Sequence, residues 1–389
     1  MPLKLDVDVP FGNACDVSVA EAAGAAEVSF AADPHGGPEC LWFCFRLVQT
    51  QRREGAPRKV RLILKHAGNM LGGGNPERFR PVARAAKGDW ERLGVPEVEE
   101  LPDGRRLVVW TVDEPEEPED RLDVAFCYPY GCEDVDALLR ETKGYWRADT
   151  IGVSQSARPL VRLSNGPGEI GGTRPGLYVA ARQHSGETPG SWVLDGFLRH
   201  IATLGERAPL VWAVPLTNID GVEQGDYGKD NFPYDLNRAW GRPPMRHETL
   251  VFQRDVAKWK ERCRPAFAID FHAPGGDESD GVYCYLANPR EFPRMNEVSA
   301  KWAEAIAAEL GPACASPRFG RVADYASRWE SPGMARFFHA THQLPAISIE
   351  TSYIGCGELV FTREHYREAG TRIARAVAAF AQSETTGLA

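Results

Sequence analysis

Short apolar runs separated by turn residues fill the first third of the chain. The runs are rich in Val, Leu, Phe and Trp, with Gly, Pro or charged clusters between them; four of them read CLWFCFRLVQ, KVRLILKH, RRLVVWTV and RLDVAFCYPYG. Runs of this kind are typical of β-strands, and several at short spacing indicate two sheets packed face to face. The pattern therefore predicts a small all-β sandwich domain over residues 1–125.

From about residue 130 the hydrophobic period changes. Apolar strand patterns such as GLYVAAR, LVWAVPL, AFAIDF and PAISIE now alternate with longer helical patterns such as GSWVLDGFLRHIATL and TLVFQRDVAKWKERC. Strand followed by helix, repeated, favours an α/β domain whose strands are buried on both faces. We expect residues 126–389 to form a mixed, mostly parallel sheet flanked by helices. Ligands of such sheets bind at the carboxyl ends of the strands.

Composition excludes several classes of protein. Hydrophobic residues make up 43% of the 389 residues and charged residues 25%, which is typical of a globular protein. The formal net charge of −9 argues against nucleic acid as a partner. No apolar run reaches the roughly 18 residues of a membrane helix or the length of a signal peptide, so we expect a cytoplasmic protein without a membrane partner. The nine cysteines are odd in number and scattered, which favours packed thiols over a disulfide framework.

Metal-ligating side chains follow three of the predicted strands. His184 and Glu187 lie on the loop after GLYVAAR, His272 ends the AFAIDF run, and Glu350 ends PAISIE. Each motif alone is commonplace, since His-x-x-Glu occurs by chance and a strand-end histidine is often an ordinary hydrogen-bonded residue. Two imidazoles and a carboxylate on neighbouring strand ends, however, supply three N/O ligands, which is the catalytic zinc arrangement that leaves a fourth position open.

An irregular segment rich in Pro, Gly and aromatic residues lies between these ligands. It contains Asn218-Ile219-Asp220-Gly221 after a strand, and Asp235-Leu236-Asn237-Arg238 further on. The planar fork of Arg238 binds a carboxylate through two hydrogen bonds, and Asn237 adds a donor beside it. This pair is a candidate anchor for an anionic end of a substrate, although Asn-Arg by itself is common.

Taken in order, these motifs resemble a known family. His-x-x-Glu, Asn-x-Asp-Gly, Asp-Leu-Asn-Arg, a strand-end His and a strand-end Glu are similar to the zinc carboxypeptidases of the funnelin type. The resemblance is to the cytosolic carboxypeptidase branch, whose members place a β-sandwich before the catalytic domain. FCYPYGCEDVDALL and ISIETSYIGCG resemble segments of that branch. The motifs cover residues 125–385, and the first 125 residues are similar in architecture alone.

The resemblance implies a role for each site residue. One zinc ion is held by His184, Glu187 and His272, and Glu350 is the general base that takes a proton from the zinc-bound water and passes it to the leaving amine. Asn237 and Arg238 hold the free carboxylate of a peptide or amino-acid-conjugate substrate, and Tyr325 is the candidate for a substrate-contacting tyrosine. Asp270, on the same strand face as His272, either hydrogen-bonds an imidazole or caps a backbone turn.

The chain departs from the family pattern at one position. Where the family carries an arginine that stabilises the oxyanion, this sequence reads GDYGKD, with Gly228 at that position and Lys229 next to it. Lys229 is therefore our candidate for that charge, as a point donor without the fork of arginine. Lys229, Arg242 and Arg246 lie near the anchor in sequence and suit an acidic end group on the substrate, while cell-wall peptides stay open as an alternative substrate for this Arg- and Ala-rich chain.

Two alternative functions stay open on the sequence. An N-acyl-amino-acid deacylase of the aspartoacylase type shares the metal motifs but carries its small β domain after the catalytic part, whereas here the β-rich part comes first. A non-catalytic binding module on the same scaffold would keep the fold without the reaction. The ligand set together with Glu350 favours the carboxypeptidase.

Overall fold

A computed structural model describes residues 3–22, 25–51, 58–115, 117, 120–231, 234–323 and 329–383 of the chain. The backbone divides into two compact units. The first comprises Met1–Pro129 with two later segments, Gly221–Asn231 and Gly275–Glu278, and the second comprises Tyr130–Asp220, Phe232–Pro274 and Ser279–Ala389.

The strands of the first unit form two five-stranded sheets. In chain order the strands are β1 (Leu3–Asp6), β2 (Cys15–Ala22), β3 (Ala25–Ala31), β4 (Cys44–Gln49), β5 (Lys59–Leu64), β6 (Val82–Ala85), β7 (Glu91–Arg92), β8 (Glu97–Glu100), β9 (Arg106–Asp113) and β10 (Arg121–Ala125). One sheet has the order β1-β4-β10-β6-β7 and the other the order β2-β3-β5-β9-β8. All of these pairings are antiparallel except that of β3 with β5.

Aromatic side chains pack the two sheets against each other. Residues of β3 alternate between half-buried and buried, which turns Val28 and Phe30 to the inside. The ring of Phe30 meets that of Phe45 in β4 edge-on, with centroids 4.6 Å apart, and that of Phe43 at 5.0 Å. Alternating strands whose inner faces interdigitate are the physical basis of a sandwich. The predicted β-sandwich is therefore confirmed.

From Tyr130 onward, the described residues form nine strands and seven helices. The strands are β11 (Arg147–Val153), β12 (Pro159–Ser164), β13 (Pro175–Ala181), β14 (Leu210–Val214), β15 (Arg264–His272), β16 (Asp280–Leu286), β17 (Ala315–Val322), β18 (Ala346–Cys356) and β19 (Leu359–Val360). The helices, by their described residues, are α1 (Cys132–Glu141), α2 (Thr188–Leu204), α3 (Ile219–Gln224), α4 (His247–Glu261), α5 (Pro293–Leu310), α6 (Met334–Phe337) and α7 (Arg363–Ser383). Most of α3 falls in a segment that belongs to the first unit.

One mixed sheet runs through the second unit in the order β11-β12-β14-β13-β15-β18-β16-β17. Its centre, β14-β13-β15-β18, is parallel, and so is the β16-β17 pair, whereas β11, β12 and β16 pair with inner neighbours in the antiparallel sense. The central strands are buried along almost their whole length. Burial on both faces explains why they read as continuous apolar runs in the sequence.

Helices cover both faces of this sheet. Phe271 of β15 packs on Phe197 of α2 with ring centroids 6.0 Å apart. Tyr178 of β13 packs on Trp259 of α4 at 5.7 Å. Tyr178 pairs in register with Ala268, three residues from Phe271, so the two aromatic contacts lie on opposite faces. The predicted α/β architecture, with a mixed sheet flanked by helices, is confirmed.

Two glycines bring α2 and α7 into close contact. A Cβ atom added at Gly196 of α2 would lie 2.0 Å from the carbonyl oxygen of Arg367, and one at Gly370 of α7 would lie 1.9 Å from that of Val193. No real Cβ atom approaches a carbonyl so closely. The backbones of the two helices can therefore cross only where each lacks a side chain.

None of the nine cysteines, all of which lie in the described part of the chain, forms a disulfide. Most of them are buried in apolar surroundings, in agreement with the predicted packed thiols. Among the described residues, no helix is both long and apolar enough to cross a membrane.

Candidate metal centre

The loop between β13 and α2 is braced by a buried arginine. Arg182, the first residue after the strand, has a left-handed backbone with φ of 64° and is almost fully buried. Its Nε donates to the carbonyl of Ser185 at 2.6 Å and its Nη1 to that of Tyr130 at 2.8 Å. The loop is thereby folded back on itself. Glu187 is the residue that precedes the first turn of α2, which places its side chain at the end of a rigid element.

Strand pairing positions the second imidazole. His272 is the last residue of β15, and it lies directly opposite Glu350 in the parallel pair of β15 and β18. Directly opposed residues of paired strands project to the same face. Asp270, two residues earlier in β15, also shares this face. Backbone hydrogen bonds of the central sheet thus set where His272, Asp270 and Glu350 project.

The structure brings His184, Glu187 and His272 together. His184 Nδ1 lies 2.8 Å from Glu187 Oε1, and His272 Nδ1 lies 2.7 Å from Glu187 Oε2. The two imidazole rings are 5.0 Å apart between centroids, and all three side chains are at least 95% buried. Each of the three residues offers one potential ligand atom, and these three atoms all lie within 4.8 Å of one another. Within the part of the chain that the structure describes, this is the only such group.

Each imidazole has a buried aspartate on its outer nitrogen. His272 Nε2 lies 2.8 Å from Asp270 Oδ2, and His184 Nε2 lies 3.3 Å from Asp235 Oδ1. A histidine that ligates through Nδ1 carries its proton on Nε2, and a carboxylate that accepts this proton fixes the tautomer and the ring orientation. Both rings therefore present Nδ1 to the centre of the group. Asp270 contacts the imidazole instead of capping a turn.

The electrostatics of the group favour a bound positive charge. Burial opposes charging of His184, but Glu187 and Asp235 outweigh it and raise its pKa to about 9. Burial likewise opposes charging of His272, while Asp270 and Glu187 raise its pKa well above the usual value. Glu187 is held ionised because the two imidazoles overcome its burial and lower its pKa. Three N/O donors in a buried, cation-stabilising setting fit a divalent metal ion with an open coordination position.

Asn237 and Arg238 lie on a short 3-10 turn over Leu236–Arg238. Asp235 caps this turn, since its Oδ1 accepts from the backbone N–H of Asn237 at 2.7 Å. The Asn237 amide nitrogen lies 3.0 Å from His272 Nε2, and its Oδ1 accepts from the backbone N–H of Met334 at 3.0 Å. Asn237 is therefore already held against the metal-ligand group, whereas the half-buried Arg238 has one contact, from Nη1 to its neighbour's carbonyl, among its described hydrogen bonds.

The structure does not test the roles of two other predicted site residues. Lys229 belongs to the first unit, where its Nζ is 3.4 Å from Glu39 Oε2. Tyr325 falls outside the described residues. The oxyanion role of Lys229 and the substrate contact of Tyr325 both stay predictions.

Sequence reasoning missed Asp235 as a partner of His184 and Arg182 as the brace of the ligand loop. Asp235 stands in the motif Asp-Leu-Asn-Arg, but it is 51 positions from His184 in the chain. Nothing in a single sequence connects the two. Arg182 follows an apolar strand directly, and a buried arginine with a left-handed backbone has no signal in the hydrophobic pattern.

Comparison with known proteins agrees with this fold and this group. No family model matches the chain. It is 30% identical to cytosolic carboxypeptidase 6 of Mus musculus over 212 residues, which are 49% of this chain and 39% of that protein. It is 29% identical to cytosolic carboxypeptidase 2 of Xenopus tropicalis over 304 residues, 69% of this chain and 30% of that protein. The matches thus span well under half the length of these relatives.

A solved structure matches both units. The crystal structure of a metallo-carboxypeptidase from Burkholderia cenocepacia superposes with a TM-score of 0.78 at 18% identity, covering 98% of this chain and 100% of that one. The fold is that of this metallo-carboxypeptidase. The sequence relatives carry the name of the cytosolic carboxypeptidases, so the resemblance predicted from the motifs is confirmed.

Proposed function

We propose that the protein is a zinc-dependent carboxypeptidase that hydrolyses the C-terminal amide or peptide bond of its substrate. The observation that carries the proposal is the buried group of His184, Glu187 and His272, with ligand atoms within 4.8 Å of one another at the carboxyl ends of two central strands. The sequence relationship to cytosolic carboxypeptidases and the shared fold support it.

In this proposal His184 and His272 bind the zinc ion through Nδ1, and Glu187 binds it through its carboxylate. Bound zinc supplies a Lewis acid and lowers the pKa of a bound water to about 7. Asp270 would accept the Nε2 proton of His272, which directs the Nδ1 lone pair of that ring at the site, and Asp235 lies 3.3 Å from His184 Nε2 as a partner in charge.

Glu350 is the proposed general base. It lies opposite His272 in the β15–β18 pair and projects from the same face, so it lies beside the ligand group without belonging to it. A carboxylate so placed takes one proton from the attacking water and gives it to the departing amine. The half-buried position of Glu350 leaves it accessible to a substrate.

Arg238, with Asn237 beside it, is the proposed anchor for the free carboxylate of a peptide or amino-acid-conjugate substrate. Because the amide of Asn237 already contacts His272 Nε2 and Met334, we assign most of this binding to Arg238. Lys229 and Tyr325 keep their proposed roles as oxyanion cation and substrate contact. We infer that residues 126–389 form the catalytic domain, with residues 1–125 as an accompanying sandwich, and that the enzyme acts in the cytoplasm.

A release assay tests the proposal directly. Peptides with a free C-terminus, and the same peptides with a C-terminal amide, are incubated with the purified protein, with chelator, and with chelator followed by zinc. We expect release from the free peptides alone, loss with chelator and recovery with zinc. Glu350→Gln should lower kcat by several orders of magnitude, since it removes the proton acceptor. Glu358→Gln, an exposed glutamate just beyond the same strand, is the matched control. Unchanged release by Glu350→Gln would refute the mechanism.

A further inference from the structure

A second concave site lies in the same unit, away from the metal-ligand group. It is a cleft of about 500 Å³ between β11, β12, β14 and α4. We call it the Arg162 cleft and define it by the residues that line it: Arg147, Asp149, Thr150, Ile151, Arg162, Ser164, Pro167, Trp212, Val251, Arg254, Asp255, Lys258 and Arg262. None of the metal-site side chains lines it.

Strand register places the floor of the cleft on the α4 side of the sheet. Trp212 of β14 pairs with Ser164 of β12 on one side and with Tyr178 of β13 on the other. Tyr178 faces α4, and residues paired in register share a face, so Trp212 and Ser164 face α4 as well. The floor is thus built on rigid strands, and α4 forms one wall.

The cleft is strongly basic in an acidic protein. Five of its lining residues are cations and two are carboxylates, whereas the whole chain has a net charge of −9. Both carboxylates are already paired: Asp149 with Arg147 at 2.8 Å and with Arg162 at 2.7 Å, and Asp255 with Arg162 at 2.8 Å. The tyrosine hydroxyl of Tyr178 donates to the remaining oxygen of Asp255 at 3.2 Å. The aspartates therefore have little capacity to neutralise the other cations.

Three cations along α4 have no such partner. Arg254, Lys258 and Arg262 are four positions apart, so they follow one face of the helix at steps of about 6 Å. They form no ion pair with any residue that the structure describes. Like charges at this spacing repel each other. A row of mutually repelling cations around a concave site is a feature that a bound anion would stabilise.

Two buried polar groups on the floor point to a ligand independently of the charges. Arg162 is 8% exposed and Ser164 is 1% exposed. Neither the Nε of Arg162 nor the Oγ of Ser164 has a hydrogen-bond partner among the described residues. Burial of an unpaired polar group is costly, and a native structure usually satisfies such groups. The Cζ atom of Arg162 lies over the Trp212 ring, 3.6 Å from its centroid, which helps to hold the guanidinium in place.

We propose that the Arg162 cleft binds a small organic anion that carries two or more negative charges, as carboxylate or phosphoryl groups. The buried floor and the volume suit a small molecule, since ligand pockets typically enclose about 300–1,000 Å³. Ser164 and Arg162 bind the end of the ligand that reaches the floor, and Arg254, Lys258 and Arg262 bind the charges at the rim. This binding function does not depend on the proposed peptidase reaction.

Calorimetric titration of the metal-loaded, full-length protein tests the proposal. The probes are tricarballylate, for a polycarboxylate, and glycerol 2-phosphate, for a phosphoryl group, both at physiological ionic strength. We expect one-site, saturable binding of at least one probe, and the tighter of the two assigns the chemical class. Absence of saturable binding of both probes in the millimolar range would overturn the proposal, because water alone would then satisfy the floor.

Matched variants distinguish a specific binding site from a general attraction of the anion to positive charges on the protein. Arg254→Glu should weaken binding at least tenfold. Arg294→Glu, the same charge reversal at an exposed position of α5 on the other face of the sheet, should change it less than twofold. Ser164→Ala removes only the floor hydroxyl and should weaken binding about three- to tenfold. Equal losses in the Arg254 and Arg294 variants, or full affinity in the Ser164 variant with unchanged folding, would contradict the assigned site.

Discussion

Replacement of Asp270 by asparagine tests how the buried aspartates position the metal ligands. Asp270 Oδ2 lies 2.8 Å from His272 Nε2 and also accepts from Gln183 Nε2 at 3.1 Å. Gln183 is fixed in turn, because Trp240 Nε1 donates to its oxygen at 3.0 Å. An asparagine would therefore keep its oxygen at the Oδ2 position, where both donors meet. Its amide nitrogen would take the place of Oδ1, which is buried and has no described hydrogen-bond partner.

The substitution thus keeps the shape of the site and removes the charge. A hydrogen bond to a charged group contributes about 1.5–3 kcal/mol and one to a neutral group about 0.5–1.5 kcal/mol. We expect Asp270→Asn to cost about 1–2 kcal/mol of zinc binding, which is a loss of about 5- to 30-fold in affinity. At 3.3 Å from His184, Asp235 makes a weaker contact, so Asp235→Asn should cost less than about 1 kcal/mol.

Competition with a chromogenic chelator measures both affinities. The expected order is wild type, then Asp235→Asn, then Asp270→Asn, with kcat/KM of the zinc-saturated variants falling in the same order. Circular dichroism and thermal unfolding serve as controls for folding. An Asp270→Asn protein that binds zinc within twofold of wild type, or the reverse order of the two variants, would refute the view that these carboxylates orient the ligand rings.

Three further predictions concern other parts of the chain. Lys229→Ala should lower kcat far more than it raises KM if Lys229 supplies the oxyanion charge; equal activity would exclude that role. Gly196→Ala should lower the unfolding free energy by about 1–3 kcal/mol in denaturant titrations. The clash of the added Cβ with the Arg367 carbonyl oxygen, 2.0 Å away, outweighs the gain of about 1 kcal/mol in helix propensity. The control, Gly94→Ala, adds a Cβ into open space and should be nearly neutral. Burial lowers the pKa of His339 to about 4 in the folded protein. Between about pH 6.5 and pH 4, this histidine is therefore protonated in the unfolded chain and neutral in the folded chain. Stability should fall by up to about 3 kcal/mol over that interval, and His339→Gln should make the fall shallower.

The hydrophobic pattern predicted the central strands well because their physical setting is simple. AFAIDF lies in β15, which is buried along most of its length, and most of PAISIE lies in β18, where the half-buried Ser348 and Glu350 alternate with buried Ile347 and Ile349. The pattern does not encode which strands become neighbours. The antiparallel pairing of β16 with β18, for example, depends on how all the strands of the sheet are arranged.

The metal ligands were predictable for a related reason. His184 and Glu187 lie on the loop after a strand and His272 ends one, and strand ends of a parallel sheet meet at one edge. The surrounding contacts were not predictable, because they depend on tertiary packing of irregular segments. Arg246 illustrates this: its sequence position near Arg238 favoured a role toward an acidic substrate, yet it is buried and its Nε lies 3.2 Å from Glu248. The position of a charged residue in the sequence does not show whether the folded protein already pairs it with an opposite charge.

The same distinction separates the two sides of the proposed active site. His272 and Glu350 are positioned by backbone pairing within central strands, so their separation changes little unless the sheet itself unfolds. Arg238 lies instead on a single 3-10 turn that the side chain of Asp235 caps. The sequence of this segment does not have to alternate between apolar and polar residues, as a strand does. In the proposed mechanism the first group serves the chemistry and the second the recognition of the substrate, so changes in the turn would alter which peptide end is bound while the metal ligands keep their geometry. Such an arrangement accounts physically for how the metal-ligand motif stays recognisable in this chain although GDYGKD departs from the family pattern predicted from the sequence.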